Sequence, residues 1–158
     1  MTLANTERDL FLDLAYGELH RALRMLRRFP REHLDDRGPD CGHTGRELAQ
    51  EFLERARVIE GAVRPSFRRL VGPIVIQEDL TGALEGILAS SLTLLSSYDA
   101  LQWNDTVPGE FPGERARRAE LLWLGLRDFR RHEEHFAIHL RAALQAAPER
   151  GRPVSKSA

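Results

Sequence analysis

Four long segments carry an apolar residue every three or four positions, and proline or glycine interrupts each of them, so helices are the natural reading of this chain. The first runs roughly from Thr6 to Arg28, where Leu10, Phe11, Leu14, Leu19, Ala22, Leu23 and Leu26 recur at helical steps. Phe29-Pro30 ends it, because the residue before a proline resists helical geometry. A loop, REHLDDRGPDCGH, follows. Thr44-Gly-Arg-Glu47 then reads as a capping box: the threonine hydroxyl accepts from the Glu47 amide while the glutamate reaches back. It opens a second helix, roughly Gly45 to Arg69, which Pro65 can kink or end early. Gly72-Pro73 marks a turn. A third helix is expected from about Asp79 to Leu101. After the loop NDTVPGEFPG, a fourth runs from about Glu114 to Ala147.

Helices of this length joined by loops of roughly ten residues predict an all-α protein, a four-helix bundle. One domain is expected over residues 1–147, with a disordered tail over 148–158. Gly82, Gly86 and Ser90 lie four apart on the third helix. Small residues at that spacing admit a close helix, and packing inside the bundle is favoured here over a dimer seam.

The bulk properties exclude several classes of partner. A formal net charge of −1 over 158 residues leaves neither a nucleic-acid nor a membrane-surface footprint. The single cysteine, Cys41, forms no intramolecular disulfide, which suits a reducing compartment. MTLANTERDL has no signal-like apolar run, and Gly86–Tyr98 is too short and serine-rich to span a bilayer. A cytoplasmic protein is expected.

The chemistry is concentrated in DFRRHEEHFAIHLR, residues 128–141. At about 100° per residue, with Asp128 at zero, His132 falls near +40°, His135 near −20° and His139 near +20°. The four occupy one narrow stripe, continued by Leu121 and Leu124 above and by Ala142 and Ala143 below. Arg127, Arg130, Glu133, Glu134 and Arg141 are read as the solvent side. The stripe is therefore expected to lie on the face a bundle buries. Buried titratable groups need partners, and a metal ion between facing helices supplies them. Asp128/His132 and His132/His135 both have suitable spacing. The competing reading is core or rim histidines satisfied by side chains of other helices.

The stretch RRAELLWLGLRDFRRHEEHFAIHLR resembles the last helix of the DinB/YfiT-like proteins, with Leu140-Arg141 at the family's closing Leu-Arg. GHTGRELAQEFLERARVIEGAV is similar to that family's second helix, and FPREHLDDR to its Leu-Pro-x-Glu-x-Leu lead-in. The resemblance spans about Glu7 to Ala146 and is one of pattern rather than long identities. It implies a four-helix bundle, often a homodimer, with one divalent metal (Zn, Ni, Mn or Fe) held by a second-helix histidine and a pair of fourth-helix residues. It also implies a small-molecule substrate, thiol-containing in some members, and transferase or isomerase chemistry.

Carried over residue by residue, the second-helix histidine is replaced by Glu51, whose other reading is an i,i+4 salt bridge to Arg55. On the fourth helix the pair becomes Asp128 and His132. The family's Arg-Gly-Gln becomes Glu133-Glu134-His135, making His135 an extra ligand or acid/base, and His139 stands where tyrosine is usual. A second register would pair His135 with His139 but loses the Leu-Arg match. The implied metal set is thus Glu51, Asp128, His132 and His135. The functional expectation is a metal-dependent transferase or hydrolase with an altered metal site. The alternative is a metal-free bundle acting through binding or dimerisation in a stress response. Elsewhere, Cys41 with His43 lacks a third orienting group for nucleophilic chemistry. His20 is read as satisfied or exposed, His33 as a loop residue without signal, and Trp103 and Trp123 as packing residues.

Overall fold

A computed structural model describes residues 3–38, 42–65, 80–109 and 111–146. Four long helices dominate it: α1 (Leu3–Arg28), α2 (Gly45–Val63), α3 (Leu80–Ser96) and, after two short elements, α5 (Arg118–Ala146). Between α3 and α5 lie a one-turn helix α4 (Ala100–Trp103) and a small antiparallel hairpin, β1 (Thr106–Pro108) with β2 (Arg115–Arg117). The protein is an all-α bundle, as its periodicity implies. α1 and α2 each pack against both α3 and α5, so the helices form a ring in which α2 and α5 share the most extensive seam.

The helix ends follow local chemistry. α1 stops at Arg28, ahead of Phe29-Pro30. The Thr44 capping box is formed in both directions, with Glu47 N–H donating to Thr44 Oγ1 at 3.1 Å and Thr44 N–H donating to Glu47 Oε2 at 2.9 Å. α2 ends at Val63, so Pro65 terminates rather than kinks the expected helix to Arg69. The expected Gly72-Pro73 turn, the start of the third helix at Asp79, Cys41 and the 148–158 tail lie outside the described residues. The third helix ends at Ser96 instead of Leu101, and Asp99 caps the separate turn α4.

The core is aromatic at both ends. Phe52 stands 5.3 Å from both Phe129 and Phe136, ring centre to ring centre, joining α2 to α5. At the far end Phe11 packs edge-on against Trp123 at 5.1 Å, and both indole N–H groups of Trp103 and Trp123 donate to the Glu7 carboxylate. Trp103 and Trp123 are packing residues with a shared acceptor. Buried Arg118 donates from Nε to the Ala62 carbonyl at 2.9 Å and from Nη1 to that of Gln102, tying the end of α2 to α4.

Three expectations change. Leu10 and Leu14 are exposed; the buried face of α1 is Phe11, Ala15, Leu19, Ala22 and Leu23, with Glu18 among them. Gly86 and Ser90 face outward, and a methyl group added at Gly86 meets nothing within 4 Å, so among the described residues no helix closes on that part of the small-residue stripe. Glu133, read as a solvent residue, is 2% exposed. Among the described residues, no helix is long and apolar enough to cross a membrane.

Candidate metal centre

The buried sector of α5 centres on Phe129 and Phe136, about 90° from Asp128 on the helical wheel. The Asp128–His139 stripe is therefore one border of the buried face, not its middle. Leu124 and Ile138, just beyond that border, are 45% and 46% exposed. His132 and His139 are buried, whereas Asp128 and His135 are half-buried. The border lies against α2 because Phe52, one turn from Leu48, meets the His132 ring edge-on at 4.5 Å.

Glu51 reaches across this seam. Its Oε2 lies 3.1 Å from His132 Nδ1, and it makes no ion pair with Arg55. The other imidazole nitrogen, Nε2, lies 2.5 Å from the Leu48 carbonyl oxygen. Both contacts are to acceptors. Burial holds the His132 imidazole below its ordinary basicity; the Leu48 hydrogen bond and the Glu51 charge oppose this, while Arg55 and His135 add to it. In the neutral ring Nε2–H donates to Leu48, and the bare Nδ1 then faces a carboxylate oxygen.

Asp128 and His135 line the same cleft, about 280 Å³ in volume, together with Glu51, His132, Arg55 and Arg131. All four expected metal residues thus share one hollow. They do not converge equally: Asp128 Oδ1 lies 3.4 Å from Arg127 Nε, and among the described residues no three His, Cys, Asp or Glu side chains stand close enough to enclose an ion. His135 and His139 are divided between two hollows, since His139 lines a separate one with His33 and Asp36.

The donor chemistry of the central pair suits a metal. Around an ion with bonds of about 2.1 Å, neighbouring donors stand about 3.0–3.4 Å apart, and the Glu51–His132 separation of 3.1 Å falls in that interval. A ligating histidine characteristically donates its second N–H to a carbonyl, the part played here by Leu48. The cleft adjoins a second hollow of about 180 Å³, floored by Val58, Leu121 and Leu124, and Arg55 and Asp128 belong to both.

Two buried features escaped the reading of the sequence. Glu18 and Glu133 face each other across α1 and α5, 6% and 2% exposed. Burial, then Glu18, push the Glu133 carboxyl up to about 9, with Arg21 and Arg130 opposing. Glu18 lies at helical spacing between Ala15 and Ala22, a signal visible in the sequence. His33 is also buried, on a 3₁₀ turn (Arg31–His33), whereas His20 is exposed as expected.

The arrangement defines a class: an all-α bundle with a polar cleft between its second and last long helices. The fold is DinB-like. It matches the crystal structure of a DinB-like protein, YjoA, from Bacillus subtilis, with a TM-score of 0.67, covering 92% of this chain and 94% of that one at 11% sequence identity. No protein-family model matches the sequence. No curated protein matches it either.

Proposed function

We propose that this protein is a metal-dependent transferase or hydrolase acting on a small substrate of the thiol-containing kind, with its metal held at Glu51 and His132. The carrying observation is the bare Nδ1 of His132 facing Glu51 Oε2 at 3.1 Å, with Leu48 fixing the ring from behind. A bound divalent ion (Zn, Ni, Mn or Fe) would supply an acidified water or thiol, a nucleophile at neutral pH. Glu51 and His132 would hold it; Asp128 and His135 would stand at the cleft wall as further donors or proton carriers. Arg55, exposed where the two hollows join, would orient a polar group of the substrate, and Val58, Leu121 and Leu124 would take its apolar part.

Elemental analysis of the purified protein tests this, beside an Asp128→Ala/His132→Ala double variant. Stoichiometric metal that disappears in the variant is the expected result. Metal-free protein after supplementation with Zn, Ni and Mn would overturn it. The homodimeric state belongs to the same reading, and a monomer by light scattering at tens of micromolar would remove it. The second reading, a metal-free stress-related binding module, is favoured by one feature: Arg55 and Arg131 bring two guanidinium groups into the cleft.

A further inference from the structure

The seam between α2 and α5 changes character along its length. The two helices run antiparallel: Phe52 meets His132, and seven residues further along α2 Ile59 lies against Gly125, seven residues earlier on α5. Glu51, Arg55 and Val58 follow one another at four- and three-residue steps and so share one side of α2. α5 answers in reverse order, with His132, then Arg131, then Leu124 and Leu121. The acid–imidazole pair therefore stands at one end, two guanidinium groups stand beside it, and apolar side chains stand at the other end.

The two cations have no counter-charge of their own. Asp128 is engaged by Arg127 at 3.4 Å and Glu134 by Arg130 at 3.9 Å, while Glu51 turns to His132 rather than to Arg55. Among the described residues, neither Arg55 nor Arg131 has an ion-pair or hydrogen-bond partner. Both are exposed, and they border one hollow of about 280 Å³ from opposite helices. Like charges facing one hollow raise its positive potential and draw anions to it. The charge of Arg55 reaches His132, whose proton affinity it lowers. Arg55 also borders the adjoining hollow, whose volume of about 180 Å³ exceeds the roughly 150 Å³ that accepts a benzene ring. Its walls Val58 and Leu124 are 36% and 45% exposed, apolar surface left open to water.

We propose that the substrate of this cleft is an amphipathic carboxylate: Arg55 and Arg131 bind its carboxylate group, and Val58, Leu121 and Leu124 cover its apolar part. A planar guanidinium pairs with a carboxylate through two parallel N–H donors, which sets an anionic head apart from a merely polar one. The apolar hollow next to Arg55 sets an organic anion apart from an inorganic one. The assignment rests on the cleft being the substrate's site, as in the proposed function, and not on the metal.

Titration of the isotope-labelled, metal-depleted full chain with 4-phenylbutyrate tests this by NMR, beside the uncharged 4-phenylbutanol and inorganic phosphate. Saturable binding of the carboxylate at about 1 mM is expected, with amide shifts at Arg55, Val58, Leu124 and Arg131. The alcohol should bind about tenfold more weakly, and Arg55→Gln/Arg131→Gln should lower the carboxylate's affinity about tenfold while leaving the alcohol's unchanged. Both arginines are exposed, so the double variant should unfold at the wild-type temperature. Carboxylate binding unchanged in that variant, alcohol or phosphate bound as tightly as the carboxylate, or no binding tighter than about 10 mM would overturn the proposal. Metal-free protein that still binds the carboxylate would remove the ion from the proposed function and leave this subsite standing. Metal-loaded protein whose depleted form binds no carboxylate would remove the subsite alone.

Discussion

The two borders of α5's buried face solve opposite electrostatic problems. On the α2 side, His132 meets Glu51 across the seam, a base against an acid. On the α1 side, Glu133 meets Glu18, an acid against an acid, with half-exposed Arg21 at 3.4 Å and the charge of Arg130 as the opposing cations. Both α5 residues are buried, yet burial acts on them in opposite senses. It suppresses the charge of His132 by lowering its proton affinity and that of Glu133 by raising it. The lesson is that burial favours the neutral form of both of these α5 groups, and the neighbour decides what each can then offer. His132 offers a lone pair aimed at a carboxylate; Glu133 offers a proton to share.

The largest expected effect comes from removing the histidine. His132→Leu loses the Leu48 hydrogen bond, the edge-on Phe52 contact and the partner of Glu51. A loss of about 2–3 kcal/mol is expected from urea unfolding at pH 8. A change below about 0.5 kcal/mol would mean that this seam is held by Phe52, Phe129 and Phe136 alone.

Glu133→Gln should act in the other direction. A carboxyl raised to about 9 from 4.5 keeps its proton in the native state while the unfolded chain releases it. Between those two values stability therefore falls as pH rises, and above pH 9 the loss is complete. The glutamine variant should be more stable than wild type by about 1–2 kcal/mol at pH 8, and the gain should vanish near pH 4.5. His132 has the opposite slope: its native proton affinity lies below the unfolded 6.5, so its border loses stability as pH falls below that value. A Glu133→Gln variant whose stability tracks that of wild type between pH 5 and 9 would break the comparison.

Sequence reading reached these two borders unequally. The ends of α1 and α2 were legible because Pro30 and the Thr44–Glu47 box act locally. The stripe of Asp128, His132, His135 and His139 was legible as a stripe, since 100° steps depend on spacing alone. Its place at the edge is not, because the inward direction is set by where Phe129 and Phe136 pack on Phe52, a contact between helices that spacing along one helix does not show. Glu133 was misread for a related reason: its neighbours Arg130 and Glu134 are solvated, and its own burial depends on Glu18, 115 positions away on α1. His33 was overlooked because a polar loop conceals burial that arises only when Gly38 docks on α5. The hairpin of three-residue strands, one holding Pro108, has too few residues to show a period.

A smaller effect separates charge from donor geometry on the α2 side. In Glu51→Gln the amide N–H can donate to the bare Nδ1 of His132, so a gain of about 0.5 kcal/mol is expected at pH 8. Glu51→Ala, like the carboxylate, offers Nδ1 no donor and should stay within about 0.5 kcal/mol of wild type. A loss above about 1 kcal/mol in both variants would show that the Glu51 charge, rather than a donor facing Nδ1, stabilises this border.

The smallest expected effect tests whether Glu133 is neutral at all. Arg21 touches both members of the acid pair, at 3.3 Å from Glu18 and 3.4 Å from Glu133, so its removal alone is ambiguous. A double-mutant cycle with Arg21→Met and Glu133→Gln isolates the one coupling. At pH 6, well below the Glu133 value of about 9, a protonated carboxyl interacts weakly with the guanidinium, and a coupling near zero is expected. Because Arg21 is half exposed, water screens the contact, and the coupling should grow only to about 0.5 kcal/mol as pH passes 9. A coupling above about 1 kcal/mol at pH 6 would mean that Glu133 is ionised in the native protein. Burial would then neutralise His132 on one border but not Glu133 on the other, and the principle common to the two borders would fail.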